Sequence, residues 1–218
     1  MDLSKRPIWL FPAISAVIAL ILGAFIVSSQ LNREPAPASA SGVRTADGVS
    51  LGGPFTLVNQ DGETVTNETY RGSAMLVYFG FTYCPDMCPA SMQLLKVALD
   101  QLDEADRANF QPILISVDPE RDTPEALAQY VEGAAFPDNL VGLTGTLDQV
   151  RAAASAYGVY FSRVEDASLT SGYTVDHLSV IFLMDRNGEF VEIFPHGTAP
   201  NVIAQRLQRF LQDNPVQS

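Results

Sequence analysis

The sequence predicts a mixed α/β domain preceded by one transmembrane helix, and three observations lead to this fold class. Nearly continuous apolar runs at 74–79 and 112–117 are typical of strands covered on both faces, and each is followed by apolar residues at helical spacing. Further along, two strand-length runs flank a glycine-containing turn at 185–189, which indicates a β-hairpin. Near the N-terminus, residues 8–27 are uncharged and apolar over the length of a bilayer-spanning helix.

The N-terminal apolar stretch is predicted to be an uncleaved membrane anchor. Residues 1–7 precede it and contain Lys5 and Arg6, so the positive-inside rule leaves them in the cytoplasm and carries the rest of the chain across the membrane. A cleaved signal peptide is the alternative, because 38–40 (ASA) resembles a cleavage site. The apolar run is longer than the hydrophobic core of a signal peptide, however, and the possible cleavage site at 38–40 lies far C-terminal to it. We therefore predict a single-pass protein of a bacterial inner membrane.

Residues 28–50 are predicted to form a flexible linker to a periplasmic domain at 51–218. They are small, polar and proline-containing, a composition that cannot bury a core. The chain has a net charge of −12, which disfavours nucleic acid as a partner and suits cationic partners or metal ions. Ordinary solubility explains an acidic surface equally well.

Each element of the domain has a local sequence signal. Strands at 55–58 and 63–66 around a turn at 59–62 predict an N-terminal β-hairpin. Thr123 and Pro124 are typical of a helix N-cap and of the first helical residue. Apolar spacing, capping residues and turns predict the remaining elements, which are helices at 89–102, from 146 to before Gly158 and at 201–212, and strands at 160–163, 180–184 and 190–194.

The order of these elements predicts a thioredoxin-like fold. A strand–helix–strand unit places two strands in parallel, and the later hairpin adds antiparallel strands to the same sheet. The expected result is a mixed sheet covered by helices, extended by the N-terminal β-hairpin and by one inserted helix.

Cys84 and Cys88, the two cysteines of the chain, lie where the first buried strand gives way to a helix. Helical residues four positions apart have Cβ atoms about 5–6 Å apart, whereas a disulfide needs about 3.5–4.5 Å. A metal held at about 2.3 Å from each sulfur spans the wider gap, so the spacing favours a metal site without excluding a reversible disulfide. The N–H groups at the start of a helix also favour the thiolate form of both residues.

Of the two histidines, His177 is the predicted third ligand. It directly precedes the buried strand at 180–184, and in a thioredoxin-like sheet the loop that enters this strand lies beside the cysteine turn. His196 follows a different strand and is expected to belong to a turn. Two thiolates and an imidazole suit copper. Zinc is an alternative, but structural zinc sites normally have four protein ligands.

Four other residues near these motifs are weaker candidates. Met87 is expected to fill the core or the surface rather than to bind metal through its thioether. Asp118 and Asp122 follow the second buried strand and are interpreted as turn and helix-cap residues, although their loop can approach the site. Asp176 is expected to steer the loop of His177 or to accept a hydrogen bond beside it.

Two other functional classes use the same cysteines. A thiol–disulfide oxidoreductase would exchange Cys84 and Cys88 with the disulfide of a partner. A peroxidase is the weaker alternative, because its attacking cysteine needs a nearby arginine and Arg71 lies outside the cysteine motif.

Three separated motifs together resemble the Sco/SenC family of membrane-anchored copper proteins. They are YFGFTYCPDMCP at 78–89, SVDPERDTP at 116–124 and YTVDH at 173–177. The similarity extends over about 51–212 and includes the anchor. Leu178 is a departure, since a small polar residue is usual there in the family.

The resemblance implies a specific function. It implies that Cys84, Cys88 and His177 bind copper, as Cu(I) and as Cu(II). It further implies delivery of this copper to the binuclear copper centre of cytochrome c oxidase, with the oxidase subunit that holds this centre as the partner and other periplasmic copper carriers as further candidates. For some members, reduction of the cysteines of that centre is implied instead.

Overall fold

Two β-sheets organise the protein in the computed structural model, which describes residues 51–169 and 171–215. The larger sheet contains seven strands: β1 (Thr56–Asn59), β2 (Thr64–Thr66), β3 (Ala74–Gly80), β4 (Phe110–Ser116), β5 (Val141–Thr144), β8 (Val180–Met184) and β9 (Phe190–Pro195). A separate two-stranded sheet consists of β6 (Phe161–Glu165) and β7 (Tyr173–His177). The α-helices are α1 (Met87–Leu99), α2 (Glu104–Arg107), α3 (Pro124–Val131), α4 (Leu147–Ala156) and α5 (Pro200–Asp213), and a 3₁₀ turn spans Asn67–Tyr70.

The larger sheet is mixed, as predicted, with the strand order β2-β1-β5-β4-β3-β8-β9. Strands β3, β4 and β5 run parallel, while β8 and β9 are antiparallel additions beside β3. The β3–α1–β4 unit and the β8–β9–α5 unit form the thioredoxin-like arrangement. The predicted N-terminal hairpin, β1 and β2, extends the other side of the sheet by pairing with β5.

The segments that contain the candidate ligands and the nearby acidic residues lie at one edge of the larger sheet. In the parallel pair, Gly80 at the end of β3 is opposite Ser116 at the end of β4. Strand β8 runs antiparallel to β3, with Tyr78 opposite Ile181, so β8 begins where β3 ends. The segments after Gly80, after Ser116 and before Val180 therefore lie at the same edge.

The core covers both faces of the central strands. Every residue of β3 and of β8 is buried, which explains why both strands read as continuous apolar runs. Helices α1 and α5 pack against each other. From α5, Ile203, Leu207 and Phe210 are buried, and each contributes about 1.5–3 kcal/mol through the removal of apolar surface from water.

Helix boundaries and capping agree closely with the sequence signals. The Thr123 side chain accepts a hydrogen bond from Ala126 N, and Thr146 with Gln149 forms the predicted capping box. Helix α1 begins at Met87, two residues before the predicted start, so Cys88 lies within its first turn while Cys84 precedes it.

Two strands were not predicted. Strand β5 is only four residues long and contains Gly142, whose space is limited by Leu127 of α3, so its apolar pattern is short and interrupted. Strand β7 was interpreted as a loop. Its Tyr173 and Val175 alternate with more exposed residues, which is the pattern of a half-buried strand, but five residues give a weak signal.

The predicted anchor at 8–27 and linker at 28–50 lie outside the described residues. Among the helices that the structure describes, none has the length and apolar character needed to cross a bilayer. The transmembrane helix of the predicted fold class therefore remains a prediction.

Candidate metal centre

The two cysteines lie at the turn that joins β3 to α1. Cys84 is partly exposed in the turn, and Cys88 is the second residue of α1 and fully buried. The N–H of Cys84 donates to the Phe81 carbonyl at 3.2 Å, and the N–H of Cys88 donates to the Cys84 sulfur at 3.3 Å. The start of the helix thus supplies a hydrogen-bond donor to the Cys84 sulfur. Neither cysteine is part of a disulfide.

His177 completes a compact group of three donor atoms. Its Nε2 lies 3.5 Å from the Cys88 sulfur, and the ligand atoms of Cys84, Cys88 and His177 all lie within 4.8 Å of one another. In the part of the chain that the structure describes, no other group of three His, Cys, Asp or Glu side chains comes together in this way. The fold therefore brings together the three residues that the sequence selects.

Contacts around the ring fix the tautomer and orientation of His177. Its Nδ1 lies 3.3 Å from the carbonyl oxygen of Leu178. Because a carbonyl oxygen can only accept, this hydrogen bond requires a proton on Nδ1, and in a neutral ring the lone pair of Nε2 then faces the sulfurs. The rings of Tyr78 and Phe81 meet the imidazole nearly at right angles, at centroid distances of 6.0 Å and 5.8 Å.

The two thiols differ strongly in acidity. A hydrogen bond from the Cys88 thiol lowers the pKa of Cys84 to about 4, although burial opposes this shift. The same hydrogen bond, together with burial, raises the pKa of Cys88 far above its ordinary value, so the prediction that the start of the helix favours a thiolate at Cys88 is wrong. At neutral pH the pair therefore holds a thiolate at Cys84 and a thiol at Cys88.

Tyr78, a buried residue of β3, contacts the sulfur of Cys88. The Tyr78 hydroxyl lies 3.7 Å from the Cys88 sulfur and 3.5 Å from the Ser179 hydroxyl, and burial raises the pKa of Tyr78, which keeps it a neutral donor. A Cβ atom at Gly80 would lie 3.0 Å from the same sulfur and 2.7 Å from the Tyr78 ring. Glycine at position 80 is therefore required for this close packing.

The comparison with protein families decides the identity of this arrangement. The model of the SCO1/SenC family matches residues 43–212, which include the cysteine turn and His177. The chain belongs to the SCO1/SenC family.

Known members of this Sco family share both sequence and fold with the chain. Protein SCO2, mitochondrial, of Saccharomyces cerevisiae is 40% identical over 149 residues, which are 68% of this chain and 49% of the yeast protein. The chain spans about half the length of the mitochondrial relatives that it matches.

Two solved structures are informative. The crystal structure of Arabidopsis thaliana ScoI with copper bound matches with a TM-score of 0.69 and 35% identity, covering 75% of this chain and 99% of that one. BsSco, described as a member of the Sco family of cytochrome c oxidase assembly proteins with a disulfide switch, matches with a TM-score of 0.56 and 26% identity, covering 73% and 92%.

In this Sco protein Asp122 fixes the cysteine turn instead of capping a helix. Its buried carboxylate accepts hydrogen bonds from the N–H of Thr82 at 3.0 Å, the hydroxyl of Thr82 at 2.6 Å and the hydroxyl of Ser116 at 2.6 Å. Burial raises the pKa of Asp122, and these hydrogen bonds oppose the rise. The loop after β4 is thereby tied to the residue two positions before Cys84.

Asp118 likewise lies outside the donor group of the Sco site. Its carboxylate pairs with Arg121 at 2.5 Å and accepts a hydrogen bond from the Tyr173 hydroxyl at 2.9 Å. Asp118 is therefore a structural residue of the loop, as the turn interpretation predicted.

The remaining candidates of the Sco motifs also lie outside the donor group. Asp176 is exposed, and the ring N–H of His177 is directed to the Leu178 carbonyl, so the hydrogen bond predicted for Asp176 is not formed. His196 is paired through Nδ1 with the Ser91 hydroxyl at 3.0 Å. Met87 is exposed, in agreement with a surface role.

Sequence reasoning missed Tyr78 and Arg121. A tyrosine within an apolar strand is a usable signal, because a buried hydroxyl needs a partner. Arg121 gave no comparable signal, since its contacts depend on elements that are distant in the sequence.

Proposed function

We propose that this Sco protein is a membrane-anchored copper chaperone, which binds copper through Cys84, Cys88 and His177 and delivers it to the binuclear copper centre of cytochrome c oxidase. The observation that carries the proposal is the group of three donor atoms within 4.8 Å of one another. Copper is here the cargo of the protein and not a resident cofactor.

The donor group fits one copper ion in size and in chemistry. Donor atoms around one ion at about 2.0–2.3 Å lie at most about 4.6 Å apart, so only a small contraction of the group is needed. Two thiolates suit Cu(I), and the imidazole extends the set to Cu(II). With three protein ligands the site keeps an open position, which suits transfer better than permanent structural binding.

Each residue has a defined task in loading. Cys84 offers a thiolate that is already deprotonated and accessible. Cys88 must release its proton when it binds metal, so loading liberates about one proton per ion. His177 offers the Nε2 lone pair without any change of tautomer.

Exposed apolar side chains beside the ligands support direct transfer to a partner protein. Tyr83, Met87 and Leu178 each precede or follow a ligand in the chain and are 58%, 42% and 44% exposed. A partner surface that covers these side chains would bring its own copper ligands to the site without water between them. We infer that the copper-centre subunit of the oxidase docks here, and that other periplasmic copper carriers supply the ion.

We also propose that residues 8–27 anchor the protein in a bacterial inner membrane with the domain in the periplasm. The length of the apolar stretch and the cations before it support this topology. Protein recovered from the membrane fraction with residues 1–40 intact would agree with it, whereas mature protein that begins at Ser41 would contradict it.

The binding proposal is tested with the purified protein, reduced and handled without oxygen. One copper per chain is expected, and oxidation of Cys84 and Cys88 to a disulfide should abolish loading until the bond is reduced. His177→Ala should weaken Cu(II) binding more than Cu(I) binding, because both thiolates remain. His196→Ala is the matched control and should change neither. Unchanged Cu(II) affinity and absorption in His177→Ala would remove His177 from the site.

A thiol–disulfide reductase is the second candidate function. It is favoured by the low pKa of the Cys84 thiol and by the hydrogen bond between the two thiols, since such a pair is prepared for attack on a disulfide and for release of the mixed disulfide. Both functions use the cysteines, but only copper holding uses His177.

A further inference from the structure

The histidine and the cysteines of the site belong to two different sheets. His177 is the last residue of β7, which pairs only with β6, whereas the cysteine turn follows β3 of the larger sheet. Among the described strands, no ladder joins the β6–β7 hairpin to the larger sheet. The distance from the imidazole to the sulfurs therefore depends on the two-residue connection from His177 to β8 and on side-chain contacts between the hairpin and the cysteine turn.

Arg121, in the loop after β4, contacts both of these parts. Its Nε pairs with the Asp118 carboxylate, which holds the guanidinium within its own loop. Its Nη1 donates to the carbonyl oxygen of Tyr173, the first residue of β7, at 3.3 Å. The Arg121 side chain is only 14% exposed, so these contacts are largely shielded from water.

Three aromatic rings complete the surroundings of Arg121, and the most distant is that of Phe81, at 5.9 Å from the guanidinium carbon. The guanidinium carbon lies 4.6 Å from the ring centroid of Tyr83, the residue before Cys84, and 3.7 Å from that of Tyr173. Its Nη2 is buried and has no hydrogen-bond partner among the described residues, so the rings are what this end of the guanidinium contacts. Arg121 thus touches the cysteine turn on one side and β7 on the other.

Tyr173 is held to the same loop by two further contacts. Its hydroxyl donates to Asp118 at 2.9 Å, and the guanidinium carbon of Arg163 lies 3.6 Å from its ring centroid. Arg163 belongs to β6 and pairs with Glu120 of the loop at 3.1 Å. These contacts fasten the hairpin to the loop, but only Arg121 also reaches Tyr83.

We propose that Arg121 is a positioning residue that joins the cysteine turn to the β6–β7 hairpin, through Tyr83 and Tyr173, and thereby sets the place of His177 relative to the two sulfurs. A planar guanidinium can stack on rings and donate from several edges at once, which an ammonium group cannot do. The predicted effect of Arg121 on copper binding rests on the proposed function. Its predicted effect on the order of the β6–β7 hairpin does not depend on that function.

The first test measures the hairpin in the reduced, metal-free protein. Arg121→Lys keeps the charge but loses the planar group, and the amides of 173–177 should lose about tenfold in protection from hydrogen exchange while β3 and β4 keep theirs. Arg206→Lys is the control, since Arg206 is ion-paired with Glu192 but contacts neither Tyr83 nor Tyr173. Unchanged protection of 173–177 in Arg121→Lys would overturn the proposal, whether or not the protein binds copper.

The second test asks whether Arg121 acts through the histidine. Arg121→Lys should lower Cu(II) affinity about tenfold and shift the Cu(II) absorption bands, with little change for Cu(I). In the His177→Ala background the same substitution should have no further effect. An equal loss in both backgrounds would mean that Arg121 does not act through His177. Absence of copper binding in every variant would refute the proposed function and leave the exchange test valid.

A second variant keeps the proposal testable if Arg121→Lys does not fold. Tyr83 is 58% exposed, so Tyr83→Leu should fold normally while removing the nearer of the two rings, Tyr83 and Phe81, through which Arg121 contacts the segment after β3. Reduced protection of 173–177 in Tyr83→Leu supports the proposal, and unchanged protection contradicts it.

Discussion

Cys84 and Cys88 differ in both protonation and access, and this difference is measurable with an alkylating reagent. In the reduced, metal-free protein, iodoacetamide should modify Cys84 and leave Cys88 unmodified, because Cys84 is a partly exposed thiolate and Cys88 a buried thiol. The rate at Cys84 should stay constant as the pH falls from 8 to about 5 and decline as it passes the pKa of about 4. Mass spectrometry of the digested protein after timed labelling follows each site.

The variant Cys88→Ala serves as the control for this prediction. It removes the hydrogen bond that contributes most to the low pKa of Cys84, so the pH at which labelling declines should move upward, towards the ordinary thiol value of about 8.5. Labelling of both cysteines at equal rates in the unsubstituted protein would contradict the assigned roles.

The ligand residues were predictable because their chemistry is visible in the sequence, whereas their supports were not. Two cysteines at a strand-to-helix turn and a histidine before a buried strand are few enough to be singled out. Tyr78 is marked in the sequence only as a tyrosine within an apolar strand, and Arg121 is not marked at all. They act through Cys88 and Tyr173, which lie 10 and 52 positions away in the chain, and only the tertiary fold makes these contacts.

At the scale of elements, the buried carboxylate of Asp122 connects the loop after β4 to the cysteine turn through its hydrogen bonds. Asp122→Ala removes the acceptor of three hydrogen bonds and leaves the donors of Thr82 and Ser116 without a partner. We expect the free energy of unfolding to fall by about 2–4 kcal/mol, since hydrogen bonds to a charged group are strong and buried unpaired donors are costly. Urea denaturation of the reduced protein measures this change.

Asp103→Ala is a suitable comparison for this loss. Asp103 is an exposed N-cap that accepts one hydrogen bond from Asp106 N, so its removal should cost only about 1 kcal/mol. If Asp122→Ala lowers the free energy of unfolding no more than Asp103→Ala does, the hydrogen bonds of Asp122 are not important for stability.

Elements with a local sequence signal were predicted, and two short strands without one were not. Helices α3 and α4 were recognisable from Thr123 and Thr146, whose side chains make local hydrogen bonds. Strands β5 and β7 have four and five residues, and both depend on pairing with distant segments, with β4 and with β6. Local sequence carries little information about such pairing.

For the whole molecule, His177→Ala separates copper delivery from thiol reduction, because it leaves both cysteines in place. If delivery is the function, cells that carry this variant should lose cytochrome c oxidase activity when copper is limiting, and added copper should restore part of it. Oxidase activity of isolated membranes at low and high copper measures this outcome.

The matching variant Cys84→Ser should fail under either function, and it confirms that the assay responds to the site. Full oxidase activity in the His177→Ala strain at low copper, together with failure of Cys84→Ser, would contradict delivery and favour the reductase role. Residues 1–50 are identical in the two variants, so the proposed membrane anchoring is the same in both strains.

The burial of Cys88 has a consequence for the direction of disulfide chemistry. If the two cysteines are oxidised to a disulfide, an attacking thiolate can reach the sulfur of Cys84 but not that of Cys88, which is 0% exposed. Cys88 must then be the leaving group, and its burial, which disfavours the thiolate form, makes it a slow one. Reduction of the oxidised protein would therefore proceed by attack at the sulfur of Cys84 alone, with Cys88 as the thiol that is released.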